Sequence, residues 1–195
     1  MNVAGNNELS WVAPIIPSIS LCGIPLGLSA AEFLELLGVY LIGNTEDLYQ
    51  FYAAPVLQLK KIESEFGEIY LFNVHDRNLT NWHLYFDSPD HRGANPRALA
   101  VVVKNNKVHT VKVWNFEKVK EGDMPKNIYQ GKLPGGIGLG DKISEILEYG
   151  KLKYDAAEGF FYTDPEYGML ELTGFGDLDE YPNQTIMALA VVSDC

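Results

Sequence analysis

The sequence predicts an α+β fold, mostly antiparallel sheet, with two short helices from a duplicated strand–turn–helix motif. Three observations predict it. A thirteen-residue segment recurs without gaps, several runs alternate apolar and polar residues with period two, and few strands are separated by long helical patterns.

The repeat comes first. Gly23-Ile24-Pro25-Leu26-Gly27-Leu28-Ser29-Ala30-Ala31-Glu32-Phe33-Leu34-Glu35 aligns onto Gly136-Ile137-Gly138-Leu139-Gly140-Asp141-Lys142-Ile143-Ser144-Glu145-Ile146-Leu147-Glu148, with seven identical positions. The offset of 113 residues (23 to 136) is too long for a solenoid and fits two related halves. Ile24 and Leu26 alternate like a short strand, as do Ile137 and Leu139, and Gly27 and Gly140 supply the turn. Ser29 and Glu32 have capping-box spacing, which starts a helix near Ala30. Phe33, Leu34 and Leu37 are its expected apolar face, and Gly38 its end. In the second copy Asp141 is the expected cap, Ile143, Ile146 and Leu147 face inward, and Gly150 closes the helix.

Strands are expected at Pro55 to Ile62, Glu68 to Val74 and Asn81 to Asp87, from alternation and from β-branched and aromatic residues. Leu99 to Lys104 and Lys107 to Trp114 flank Asn105-Asn106, a two-residue hairpin turn. Gly159 to Thr163, Met169 to Leu172 and Thr185 to Val192 complete the set. Thr45 to Tyr52 reads as a further helix, and Pro89 to Pro96 as a loop. The chain fits a single domain over 1–195, or two intertwined pseudo-repeats of about 1–117 and 118–195.

A length of 195 residues and 47% apolar composition allow a core without staples and exclude a disordered chain. Two cysteines, Cys22 and Cys195, form neither a disulfide scaffold nor a ligand pair, so a reducing, cytoplasmic compartment is expected. Met1 to Ser10 carries no basic residue, and Pro14 and Pro17 interrupt the apolar stretch beyond it. Neither a signal peptide nor a membrane span is expected there. Leu21-Cys22-Gly23 does not match a lipoprotein cleavage site, because Leu21 is bulky where a small residue is needed.

Net charge is −11 and unevenly spread. From Tyr154 to Cys195 there are nine acids and no Lys, Arg or His, so the remaining 17 acids and 15 bases nearly balance. Such a field repels nucleic acid and anionic membrane and steers basic partners; its simpler use is a solvated, solubilising surface.

No motif specifies catalysis. Gly135-Gly136-Ile137-Gly138-Leu139-Gly140 lacks the Lys-Ser/Thr of a phosphate loop and the spacing of a dinucleotide loop, so it reads as turn and cap. The polar cluster His75, Asp76, Arg77, His83, Asp87, Asp90, His91 and Arg92 puts His83, Tyr85 and Asp87 on one strand face. A metal or general-base site is one reading, a polar sheet face followed by a loop the other. Asp155, Glu158, Asp164 and Glu166 lack the calcium-loop order. No catalytic, cofactor-binding or metal site is therefore assigned.

The acidic tail is interleaved with rings. In Gly174-Phe175-Gly176-Asp177-Leu178-Asp179-Glu180-Tyr181-Pro182 the glycines and proline mark an exposed loop, where aromatics among carboxylates resemble a protein-binding surface. Asp177, Asp179, Glu180 and Tyr181 are the candidate contact residues, with Asp164 and Glu166 beside them in the acidic set.

Tyr129-Gln130-Gly131-Lys132-Leu133, Gly136-Ile137-Gly138-Leu139-Gly140-Asp141, Leu152-Lys153-Tyr154-Asp155 and Glu158-Gly159-Phe160-Phe161-Tyr162 resemble a pattern in small bacterial immunity proteins. The likeness covers mainly residues 128–172, with a weaker echo at 23–35. Proteins of that group are encoded beside polymorphic, contact-delivered or type VI-secreted toxins and neutralise them by direct binding. The resemblance implies a non-enzymatic inhibitor without cofactor, and carries over no functional residues. Combined with the acidic tail, it leads to a basic toxin as the expected partner, a nuclease being one such toxin. Two alternatives are a small metal-dependent hydrolase or nuclease using His75, His83 and Asp87, and a structural or phage-related module.

Overall fold

A computed structural model describes residues 8–43, 46–65, 67–79, 96–117 and 125–193. After a two-stranded ribbon of β1 (Ser20–Leu21) and β2 (Ile24–Pro25) comes the helix α1 (Ala30–Gly38). The first-half strands are β3 (Leu41–Gly43), β4 (Leu48–Tyr49), β5 (Leu57–Ser64), β6 (Gly67–Val74), β7 (Arg97–Lys104) and β8 (Lys107–Trp114). The second half contributes β9 (Leu152–Asp155), β10 (Phe160–Thr163), β11 (Leu170–Thr173) and β12 (Ala188–Val192). Among the described residues these build one ten-stranded antiparallel sheet in the order β3-β4-β5-β6-β7-β8-β12-β11-β10-β9.

This is a sheet-dominated fold, which corrects the expectation of an α+β fold with two helices from the duplicated motif. Only the first copy of the repeat forms an α-helix; the second forms a 3-10 helix, Ile143–Glu148. The spacing of buried residues explains the difference. In α1 the fully buried pair is Phe33 and Leu37, four apart, as an α-helix requires. In the second copy it is Ile143 and Ile146, three apart, which a 3-10 helix eclipses on one face. The position equivalent to Leu37 is Gly150, so no second inward anchor rewards another α-turn.

Other expectations fail locally. Leu34 and Leu147 occupy equivalent positions and are both exposed, at 46% and 53%, rather than facing inward. Ile137 and Leu139 are buried but lie in no strand. The expected helix at Thr45 to Tyr52 is instead the short strand β4, preceded by Asp47 at φ 50°, which an α-helix does not accommodate. Tyr49 then packs edge-on against Phe72, with centroids 5.8 Å apart. The expected strand Asn81 to Asp87 lies outside the described residues, as do most of the loop Pro89 to Pro96 and Thr45 itself.

One sheet face carries the core. Tyr70 and Phe72, Val101 and Val103, Val111 and Val113, and Leu189 and Val191 alternate inward with period two. The segment from Leu9 to Leu28, α1 and the segment from Ile128 to Ile146 close over that face. Phe33 meets Tyr70 edge-on at 5.2 Å, and Trp11 meets Tyr129 at 5.7 Å. Each such fully buried large side chain contributes roughly 1.5–3 kcal/mol.

The two repeat copies hang from the sheet by matching backbone bonds. Gly27 N donates to Val108 O at 2.8 Å, and Gly140 N to Ile186 O at 3.0 Å. Val108 N donates to Leu28 O at 2.8 Å, Ile186 N to Asp141 O at 2.9 Å, Ala30 N to Asn106 O at 3.0 Å and Ile143 N to Gln184 O at 3.1 Å. Each bond of the first copy thus reappears with one partner moved by 113 residues (27 to 140) and the other by 78 (108 to 186). The β8–β12 register obeys the same rule: Thr110↔Val192 maps onto Trp114↔Ala188, and Lys112↔Ala190 sits on the local pseudo-twofold axis. No helix among the described residues is long and apolar enough to cross a membrane.

Candidate functional site

The two halves differ most at one connection. β7 and β8 are joined by the two-residue turn Asn105-Asn106, both residues at positive φ (50° and 63°), as a tight hairpin needs. By the same correspondence Gln184 is the counterpart of Asn106. Between β11 and β12 that turn is replaced by the loop 174–184, which contains the aromatic-acidic segment.

The loop is held from within. Gln184 is buried; its Oε1 accepts from Phe175 N at 2.6 Å and Gly176 N at 3.3 Å, and its Nε2 donates to Gly176 O at 2.6 Å. Gly174 permits this approach, since a Cβ there would stand 2.0 Å from Gln184 Oε1. Tyr181 N donates to Asp177 O at 2.9 Å, Asp177 Oδ1 accepts from Asp179 N at 2.8 Å, and Leu178 packs on the core. Above this frame stand Phe175 (65% exposed), Tyr181 (50% exposed), Asp179 and Glu180. The Tyr181 ring rests against Gly176, where a Cβ would come within 2.9 Å of it.

The six candidate residues are not one surface. Asp179, Glu180 and Tyr181 are exposed together, whereas Asp177 is half-buried and braces the loop. Asp164 and Glu166 lie in the β10–β11 turn, at the opposite end of β11 from the loop. Asp164 is committed to that turn: its carboxylate accepts from Lys151 N at 2.7 Å and Tyr167 N at 3.0 Å, and these bonds hold its carboxyl below the usual range. Gln184 and Phe175 are two further residues of the loop that the sequence does not single out as contacts. Phe175 is legible from its glycine neighbours; nothing local marks Gln184, whose role depends on the loop folding back.

Of the three residues of the alternative histidine site, His75 is among the described residues. His75 is exposed, and Asp76 Oδ1 accepts from Asn78 N at 2.9 Å in a local turn. His83 and Asp87 lie outside the described residues. No group of three His, Cys, Asp or Glu able to hold a metal occurs among the described residues.

The residues that resemble the immunity-protein pattern brace the scaffold. Tyr129 is buried; its hydroxyl donates to Ala13 O and accepts from Cys22 N at 3.3 Å, and burial pushes its pKa up. A Cβ on Gly131 would stand 2.0 Å from Ala13 O. Asp141, the expected helix cap, instead accepts from Lys132 Nζ at 2.5 Å and Gly138 N at 2.8 Å, clamping the glycine turn. Lys142 occupies the N-cap position with no side-chain cap bond.

A second feature lies on the sheet face opposite the core. Lys112 reaches across the small residue Ala190, its Nζ 4.1 Å from the Phe160 ring centroid and 5.6 Å from that of Trp114. Glu171 pairs with Ala190 from the other side. Burial pushes Lys112 down and Glu171 up, each offset in part by the other's charge. Beside them is an open cleft of about 360 Å³ running over β7. The sequence does not reveal these groups, because Thr110, Lys112 and Trp114 share a face with Glu171 and Phe160 only once β8 is registered against β12.

Fold and loop together define an antiparallel-sheet protein with a preorganised, acidic, aromatic surface loop. No protein-family model and no curated protein matches the chain. Among solved structures, the crystal structure of the uncharacterized protein yfeY from Escherichia coli is similar, with a TM-score of 0.44 and 10% identity over 95% of this chain and 99% of that one.

Proposed function

We propose that this chain is a non-enzymatic immunity protein of the bacterial cytoplasm that binds and neutralises a cognate toxin through the loop 174–184. The observation that carries this reading is the loop itself. Where the other half makes a two-residue turn, the chain spends a longer segment, and Gln184 holds it in one shape with two aromatic rings and two carboxylates outward. A rigid frame lowers the ordering cost of association, and exposed Tyr and Phe supply the anchors that charge alone does not. The acidic field of the C-terminal region selects a basic partner, a nuclease toxin being one, and opposes nucleic acid and anionic membrane.

The test is a titration of the protein against the product of the adjacent toxin gene, at low and high salt. Asp179→Lys/Glu180→Lys is the variant of choice, since both residues are exposed, whereas reversal at Asp177 would disturb the loop. Association of the unmodified protein should slow as salt rises, and the variant should bind on the order of tenfold more weakly with unchanged unfolding. Unchanged affinity in the folded variant moves the interface off this loop. No binding to that product by the unmodified protein ends the immunity reading.

A further inference from the structure

The cleft on the outer sheet face has a chemistry opposite to the rest of the molecule. Its floor is Ala100 and Val102 of β7, and Ile62, Ile69 and Leu71 form an apolar wall. Arg97 and Lys104 stand exposed at the two ends of β7, and Lys112 lines the far side. Three cations thus meet a single acid, Glu171, in a chain of net charge −11.

The apolar wall opens to solvent at Ile62, which is 37% exposed; Ile69 is half-buried and Leu71 buried. Lys112 forms no ion pair among the described residues: its ammonium, partly withdrawn from water, rests on two aromatic rings. A partly desolvated cation beside an open apolar trough is a place for an anionic head group. The floor runs along β7 from Arg97 to Lys104, a strand of about 23 Å, long enough for one extended chain.

We propose that this cleft binds a single-chain anionic amphiphile of the fatty-carboxylate class, its chain along Ile62, Ile69 and Leu71 and its head group met by one rim cation, Arg97 or Lys104. This site is separate from the loop 174–184 and does not depend on the toxin-binding reading.

Titration of the full-length protein with sodium dodecanoate below its micellar concentration tests it, monitored by calorimetry and by tryptophan emission. Saturable one-to-one binding is expected, with an emission change that Trp114→Phe removes. Arg97→Gln/Lys104→Gln should weaken it on the order of tenfold, the scale of one lost charge-assisted hydrogen bond. Both side chains are exposed, so the variant should fold; Ala100→Leu, which fills the floor, is a second variant that should abolish binding. Dodecylammonium binding as tightly as dodecanoate, unsaturable uptake, or full affinity in both variants overturns the proposal. Capture of an acidic peptide with no dodecanoate binding also overturns it and makes the cleft a protein-docking surface.

Discussion

The segments 20–38 and 133–148 make the same backbone contacts with the sheet, yet one is a helix-bearing arm and the other a compact turn. Both enter through a two-residue turn with positive φ, Cys22-Gly23 (58° and 75°) and Gly135-Gly136 (96° and 87°). Both then pass a left-handed glycine, Gly27 or Gly140, before bonding to the β8 or β12 side of the sheet. Beyond that glycine the side chains decide the course of the backbone. Ser29, Glu32 and Leu37 sustain an α-helix in the first, where Lys142, Glu145 and Gly150 leave a 3-10 turn in the second. Attachment to the sheet is a backbone property shared by the copies; helix type is a side-chain property that is not.

The largest expected difference lies at the paired turn glycines. A Cβ on Gly23 would stand 2.0 Å from Glu8 O, on a residue already at φ 75°. A Cβ on Gly136 would meet nothing within 4 Å, although φ there is 87°. Gly23→Ala therefore combines a backbone clash with left-handed strain and should cost about 3 kcal/mol or more. Gly136→Ala carries the strain alone, about 1–2 kcal/mol. Urea unfolding of the two variants measures the gap, and equal losses would break the distinction between a packed first turn and an open second one.

A smaller gap is expected at the helix starts. Ser29 Oγ accepts from Glu32 N at 3.2 Å and Glu32 Oε2 accepts from Ser29 N at 2.9 Å, so α1 has a complete capping box. Ser29→Ala should cost about 1 kcal/mol, against within about 0.5 kcal/mol for Lys142→Ala, which removes no cap bond. Comparable destabilisation by both substitutions in thermal unfolding would mean that the second copy is capped after all.

Much of the fold is legible in the sequence, for physical reasons that differ by element. The capping box and the Asn105-Asn106 turn are local, so residue type alone specifies them. Strands β5 to β8 and β10 to β12 show as alternation or β-branched runs because one sheet face is buried. The second helix misleads because identity at Glu145, Leu147 and Glu148 is identity on the exposed side, while the deciding position, Gly150 opposite Leu37, lies just outside the matching segment. The candidate loop is visible from its glycines and proline, but not its clamp, because Gln184 acts through a contact that only the folded loop creates. The Lys112 cleft is invisible, since its groups come from separate strands whose order, β7-β8-β12-β11, crosses from one half to the other.

The smallest expected effect is electrostatic and confined to α1. The bonds from the Ser29 side chain and backbone hold the Glu32 carboxyl below the ordinary glutamate value of about 4.3. A carboxyl whose folded pKa is depressed binds its proton more readily in the unfolded chain. Its stabilising contribution is therefore present above the unfolded value and lost as pH falls through the folded one. Global acid unfolding would not isolate it, because Asp164 and Glu68 are depressed as well, through their own hydrogen bonds. A local readout does: amide exchange of residues 30–38 between neutral pH and about pH 3, corrected for intrinsic rates. Protection of α1 should decline on acidification, and Glu32→Gln should flatten that decline while leaving residues 143–148 unchanged. Glu145→Gln, at the equivalent position of an uncapped turn, should alter neither segment. An α1 profile indifferent to Glu32→Gln would show that sheet packing, through Phe33 and Leu37, holds the helix without its cap.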